Sequence, residues 1–295
     1  MNSRRAPDLR LVWLFGAGAD AAEHAEMGAS GADVLIQDLE DSTLPPLRPA
    51  ARAAAAELYA TWRAAGALAC VRINPLDGDG ETDLAAVMPS APDIVAYPKA
   101  ESAFDIARLE RAIAKLERRH GLPEGSTELL PVCETAAGVV EVRSMAAASA
   151  RVRCALLGAE DLATDLCAER RADGDELDHA RRHFLLQCRA ARIEPVDAPF
   201  TFDALDGATA EALYARRLGY RCKSAVRAKH VAAVRAALAP DPAAVERAER
   251  IVKAFDEGVA VSRDRVLFEG QWLEVPTIAQ ARRLIARARR FREAK

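Results

Sequence analysis

The side chains with the greatest chemical reach in this 295-residue chain stand at the ends of short apolar runs. Asp38, Glu40 and Asp41 close DVLIQDLED, Arg72 and Asn74 end ACVRIN, and Lys99 and Glu101 follow DIVAYP. Glu134 follows LLPVC, Glu160 and Asp161 follow CALLGA, Asp197 lies in PVDAPF and Lys223 in YRCKSAV. Charges at such positions must pair with one another or meet a ligand, because an unpaired buried charge is strongly destabilising. Glu134 and Asp161 end consecutive runs beside the small residues Thr135 and Gly158. Two carboxylates completed by water and substrate oxygens make the kind of site Mg²⁺ prefers. The same spacing also suits one carboxylate paired with Arg72 and another capping a helix. Arg72 offers a planar fork for a bidentate carboxylate, or else a structural ion pair with Glu40 or Glu134.

Other motifs compete less well. Gly16-Ala17-Gly18-Ala19-Asp20-Ala21, with Asp38 about 20 residues further on, fits a dinucleotide fingerprint. It gives no role to the polar ends of the later runs. His179 and His183 stand four apart but lack the glutamate of H-E-x-x-H. The chain contains no G-x-x-x-x-G-K-[ST] and no G-x-S-x-G.

The elements that must position these residues follow from the periodicity. Eight runs rich in Val, Ile and Leu, at 11–16, 33–40, 69–74, 93–99, 128–135, 154–161, 195–200 and 220–226, alternate with helix-periodic segments. Near-continuous apolar strands separated by helices belong to a parallel sheet covered on both faces. Eight such units predict an α/β fold, a (β/α)8 TIM barrel over residues 1–238, with an open doubly wound sheet as the alternative. In a barrel the strand ends named above share one mouth. Beyond it, 239–295 reads as a C-terminal helical extension: an amphipathic helix at 243–255, a strand hairpin with a Glu-Gly turn, and a helix opened by Pro276.

Composition narrows the class of function. Lys and Arg number 41 against 44 Asp and Glu, so the net charge of −3 offers no footprint for nucleic acid. No apolar run reaches the length of a membrane span, and Leu11–Phe15 is too short for a signal-peptide core. Six cysteines without a C-x-x-C pair suit a reducing, cytoplasmic setting.

GADVLIQDLED (31–41), CVRINPL (70–76), DIVAYPKAES (93–102), LLPVCETAAGV (129–139), RCALLGAEDLATDL (153–166) and LEVPTIAQARRL (273–284) together resemble the HpcH/HpaI aldolase and citrate lyase family, specifically citrate lyase β-subunit-like proteins. The resemblance implies a TIM barrel whose extension packs on a neighbouring subunit in a homotrimer or homohexamer. It implies a Mg²⁺-dependent carbon–carbon lyase that cleaves or forms a malyl-, citramalyl- or citryl-CoA type thioester, giving a 2-oxo acid and an acyl-CoA enolate. Residue by residue, it makes Glu134 and Asp161 the Mg²⁺ ligands and Arg72 the holder of the 2-oxo acid carboxylate. Asp38, Glu40 and Asp41 would support Arg72 and metal-bound water, Asp38 as a catalytic residue with Arg72, while Arg10, Glu40, Lys99 and Lys223 would meet substrate. Glu274, from a neighbouring subunit, would serve as acid/base, with Trp272 shielding the site.

Three stretches depart from the family pattern. The first loop reads Phe15-Gly16-Ala17-Gly18, and the motif after the eighth run keeps only Lys223 in register. The usual aspartate of the extension is Glu274. These departures leave two alternatives: an aldolase acting on a free, non-CoA hydroxy or oxo acid, and a non-catalytic lyase-like subunit of a multi-enzyme complex.

Overall fold

The computed structural model describes residues 4–260 and 265–293, which form two compact units divided after Leu238. In the first unit all eight apolar runs are strands: β1 (Val12–Ala17), β2 (Val34–Asp38), β3 (Leu68–Arg72), β4 (Ile94–Tyr97), β5 (Glu128–Cys133), β6 (Cys154–Leu157), β7 (Glu194–Phe200) and β8 (Cys222–Ala225). They pair in parallel and in chain order, and β1 pairs with β8, which closes the barrel and excludes the open sheet. Helices α1 (Ala21–Ala29), α2 (Arg48–Ala64), α3 (Gly80–Val87) and α4 (Ala103–Arg119) connect the first five strands. The short α5 (Ala136–Val140) and α6 (Val142–Ala148) lead to β6, and α7 (Glu160–Asp165) and α8 (Asp178–Ala191) lead to β7. After α9 (Leu205–Leu218) and β8 comes α10 (Val231–Leu238), where the unit ends.

Successive side chains along a strand face opposite sides of the sheet. One set, including Trp13, Ile36, Cys70, Ala96, Val132, Leu156, Val196 and Cys222, fills the barrel. The alternate set packs outward on the helices, so both faces are apolar and the strands read as unbroken runs.

This parity decides where two expected substrate contacts lie. Cys222 points into the barrel, so Lys223 points out, fully buried between the barrel wall and its helices. Its Nζ meets Asp197 Oδ2 at 2.8 Å and Glu211 Oε2 at 2.9 Å, while Arg181 grips Asp197 with two hydrogen bonds of 3.0 and 2.7 Å. Lys223 therefore belongs to a structural ion network and not to the mouth of the barrel. Arg10 precedes β1 and so lies at the N-terminal mouth, opposite the strand ends that carry the other candidates. It is fully buried and donates to both oxygens of Glu128, at 2.6 and 2.9 Å. That places it away from any substrate at the C-terminal mouth.

The second unit contains α11 (Pro242–Ala260), the antiparallel pair β9 (Val266–Phe268) and β10 (Gln271–Leu273), and α12 (Val275–Glu293). The expected Glu-Gly turn is present, with Glu269 and Gly270 both at positive φ, as a two-residue hairpin requires. Pro276 is the second residue of α12 and not its first. Ala248, Ile251, Leu273, Ile278 and Ala281 form a core of the unit's own. Residues 261–264 of the expected hairpin segment lie outside the described residues.

Removing the Lys223 ammonium leaves two buried carboxylates to share Arg181. Lys223→Met is expected to cost about 3–5 kcal/mol of unfolding free energy in a denaturant titration while leaving the substrate KM unchanged. A raised KM with unchanged stability would return Lys223 to the site.

Candidate active site

The C-terminal mouth is organised by one ion pair. Asp38 and Arg72 end neighbouring strands as direct register partners, and both point inward. Arg72 donates from Nε and Nη2 to the two oxygens of Asp38, at 2.7 and 2.6 Å. The same carboxylate accepts from the backbone N–H groups of Glu40 and Ser42, at 3.1 and 3.0 Å. Burial acts to raise the Asp38 pKa, but the charge and hydrogen bonds of Arg72 prevail and hold it below the ordinary value. Asp38 is fully buried with every accepting direction used, so it orients Arg72 and does not itself reach a substrate. Arg72 keeps Nη1 turned to Glu40 Oε2 at 2.9 Å and Glu134 Oε2 at 3.8 Å. The Phe15 ring lies 5.3 Å from its guanidinium carbon, a cation–π contact that fixes the plane of the fork.

Glu134 follows β5 and is buried against Gly158, which follows β6. A Cβ at 158 would stand 2.5 Å from Glu134 Cβ, so glycine there is a packing requirement. Thr135 caps α5 through its side chain, which fixes the turn that presents Glu134. The Lys99 N–H donates to Glu134 Oε1 at 2.9 Å. Lys99 itself has a left-handed backbone, φ 46°, which is costly for a side-chain-bearing residue. Its ammonium bridges Glu40 Oε1 at 2.9 Å and Asp161 Oδ2 at 3.1 Å. Asp161 stands half-exposed in the first turn of α7, and Glu160 lines the same cavity, where it accepts hydrogen bonds from Thr201 at 2.5 Å and Arg170 at 3.0 Å.

Arg72, Glu134, Asp161, Gly158, Phe15 and Asp41 line one open cavity of about 160 Å³. Lys99 and Glu40 join this cluster through Asp161 and Arg72. Two residues of the site, Phe15 and Ser42, carry no functional motif of their own. Phe15 was signalled by its inward parity with Trp13, but nothing in the sequence marks the Ser42 N–H as a partner of Asp38. Glu274 belongs to the second unit, exposed, immediately before α12. The glycine loop does not offer its backbone to a nucleotide: the Gly18 N–H donates to Thr43 Oγ1 at 2.7 Å and its carbonyl accepts from Gln37 at 3.0 Å. The dinucleotide reading falls with that loop and with the closed barrel.

The electrostatics of the cavity are unbalanced. Asp38, Glu40, Asp41, Glu134 and Asp161 gather around two cations, Arg72 and Lys99. Burial, with Glu40 and Asp161 nearby, pushes Glu134 up to about 7 against the pull of Arg72. Burial likewise raises Glu40, whose buried Oε2 accepts no hydrogen bond and has only the ion-pair contact with Arg72. This excess of carboxylates over cations fits a hard divalent cation held by Glu134 and Asp161. Among the described residues there is no group of three or more His, Cys, Asp or Glu placed to hold a metal. Water and substrate oxygens would have to complete the shell.

Glu134 also makes stability depend on pH. Between about pH 4.5 and 7 the unfolded chain has released this proton while the fold retains it, so the Glu134 contribution falls as pH rises through that window. The loss amounts to about 3 kcal/mol at most above it. In chelator-treated protein, Glu134→Gln is expected to be more stable than wild type near neutral pH and above, with a flatter profile across the window. Thermal unfolding in a pH series measures this; a variant no more stable than wild type at about pH 8 refutes it.

Comparison with known proteins agrees with this architecture. Residues 11–228 match the family model described as HpcH/HpaI aldolase/citrate lyase. The chain is 31% identical over 283 residues to the citrate lyase subunit beta of Haemophilus influenzae, covering 95% of this chain and 97% of that protein. It is 30% identical over 298 residues to the L-malyl-CoA/beta-methylmalyl-CoA lyase of Cereibacter sphaeroides, covering 93% of each. The crystal structure of protein CitE from Mycobacterium tuberculosis in complex with magnesium, acetoacetate and coenzyme A superposes with a TM-score of 0.75 at 29% identity, over 97% of this chain and 99% of that one. A closed barrel, a carboxylate-rich mouth built on Arg72 and a match across most of the chain lead to one conclusion: this protein belongs to the HpcH/HpaI aldolase/citrate lyase family and is an enzyme of the carbon–carbon lyase type.

Proposed function

We propose that the protein is a Mg²⁺-dependent lyase for a 3-hydroxyacyl-CoA of the malyl, citramalyl or citryl type. The observation that carries this reading is the acidic excess over Glu134 and Asp161, set beside a rigidly oriented arginine in one cavity. The magnesium and coenzyme A in the CitE complex and the thioester substrate named for the Cereibacter lyase support it.

Glu134 and Asp161 would hold the metal, which supplies Lewis-acid polarisation of a substrate oxygen. Arg72 has five N–H donors, of which Asp38 uses two; its Nη1, which faces Glu40 and Glu134 as ion-pair partners, would turn to the carboxylate of the oxo-acid half when substrate binds. Cleavage breaks the bond between the carbinol carbon and the carbon α to the thioester. The carbinol would release its hydroxyl proton to solvent and become the 2-oxo carbonyl, while the electron pair of the broken bond passes to the thioester half as an enolate. The Glu274 carboxyl of a neighbouring subunit in a homotrimer or homohexamer would protonate that enolate carbon, and Trp272 beside it would exclude water. Lys99 would release Asp161 when the metal binds and turn its ammonium to the substrate.

One observation favours the free-acid reading. The single lysine kept from the family's strand-8 motif, Lys223, is turned away from the cavity and sealed in the wall. Parallel assays of CoA esters and the corresponding free hydroxy acids, with Mg²⁺ present and removed, separate the two readings. The CoA reading expects Mg²⁺-dependent cleavage of an ester and none of the free acid; the reverse pattern replaces it. Glu134→Ala is expected to abolish Mg²⁺-dependent turnover, and full activity in that variant rejects the metal assignment. Lys99→Met removes the cation that competes for Asp161, so calorimetry should find Mg²⁺ bound about tenfold more tightly without substrate. Weaker binding in that variant excludes the competition.

A further inference from the structure

The N-terminal mouth of the barrel carries a second charged cleft that the lyase reading does not use. Arg153 immediately precedes β6 and Arg221 immediately precedes β8, while Arg189 and Arg192 bring the end of α8 to the start of β7 at Glu194. Together with Asp8 and Glu194 they line an open cleft of about 380 Å³. Four guanidiniums thus face two carboxylates, an excess of two positive charges.

The pairing within the cleft is uneven. Arg189 takes both oxygens of Glu194, at 2.7 and 2.9 Å. Arg221 has only long contacts, 3.5 Å to Asp8 and 4.0 Å to the already engaged Glu194. Arg153 reaches Glu128 at 3.3 Å, but that carboxylate is held bidentately by the buried Arg10. Arg192 is exposed and has no ion pair among the described residues. It also occupies the left-handed position that ends α8, with φ 60° and ψ 30°, where glycine or asparagine is the easy choice. An arginine is thus held in an unfavourable backbone conformation at the rim of a cleft short of negative charge.

We propose that this cleft binds a small multivalent phosphate anion of the pyrophosphate class, through the forks of Arg153, Arg192 and Arg221. Guanidinium forks pair bidentately with phosphate oxygens, and an anion of at least two charges neutralises the excess. Strands of this length separate the cleft from the cavity at the other mouth by roughly 15–20 Å, so the two sites bind independently.

The test is calorimetric titration of the full chain with inorganic pyrophosphate in metal-free buffer, and with ADP as a second arm. Wild type is expected to bind pyrophosphate saturably, with affinity falling as salt is raised. Arg192→Gly relaxes the left-handed residue, so it should melt no lower than wild type, yet bind about tenfold or more weakly. Arg72→Met, at the other mouth, should bind pyrophosphate as wild type does. Tighter binding of ADP than of pyrophosphate identifies a nucleotide tail as the source; equal or weaker binding identifies the free anion. The proposal is overturned by absence of saturable binding, by unchanged affinity in Arg192→Gly, or by loss of binding in Arg72→Met. Lyase activity without pyrophosphate should be the same in Arg192→Gly and wild type, so failure here is distinct from failure of the catalytic reading.

Discussion

The Asp38–Arg72 pair fixes the chemistry of the C-terminal mouth, because every other charge there is placed relative to it. The two residues are register partners on adjacent strands, so their geometry is set by the sheet and not by flexible loops. Taking two ions out of water is expensive, and repayment requires good geometry with further hydrogen bonds on the remaining sites. Asp38 meets that condition with two guanidinium and two backbone donors. Arg72 meets it only in part, since its third side faces Glu40 and Glu134. A guanidinium satisfied on one edge and open on another is an oriented anchor.

The other end of the barrel interior shows what the same chemistry looks like when it is purely structural. Arg10 and Glu128 form a bidentate, buried pair, with Arg153 a further cation at 3.3 Å from Glu128, so the carboxylate is fully compensated. At the C-terminal mouth, five carboxylates share two cations, and protons or a divalent ion must supply the difference. The raised Glu134 registers that demand in the fold itself. Burial alone does not distinguish the two ends; charge balance does. The same criterion separates Lys223, whose carboxylates are also shared with Arg181, from Lys99, which bridges groups facing the cavity.

Much of this was legible in the sequence, for a physical reason. A parallel sheet buries both faces, so its strands are continuous apolar runs, and all eight were readable as such. The price of that legibility is parity: when both faces are apolar, the run does not say which residues point inward. Lys223 was placed at the mouth for that reason, although its neighbour Cys222 fills the barrel and forces it outward. Arg10 failed differently. All the strands run the same way, so a residue just before β1 must lie at the mouth opposite Arg72 and Glu134. Residue types alone offer Arg72 a structural partner in Glu40 or Glu134, the family resemblance adds Asp38, and the β2–β3 register places Asp38 directly beside it. Glu134 and Asp161 were legible as a pair because they follow adjacent strands, and Gly158 between them leaves the room that Glu134 occupies.

The second unit extends the parity argument to Glu274. In its hairpin Val266, Phe268 and Leu273 turn to the unit's own core, while Leu267 and Trp272, paired across the strands, are exposed, as is Val275 at the start of α12. Glu274 stands in sequence between Trp272 and Val275, so its carboxyl is bordered by apolar surface that water covers only at a cost. If that face docks on a neighbouring copy, as the proposed mechanism requires, the contact that buries Trp272 and Val275 also desolvates Glu274. The same contact would set the Glu274 carboxyl against a partner's barrel mouth, where an acid must stand to reach an enolate carbon.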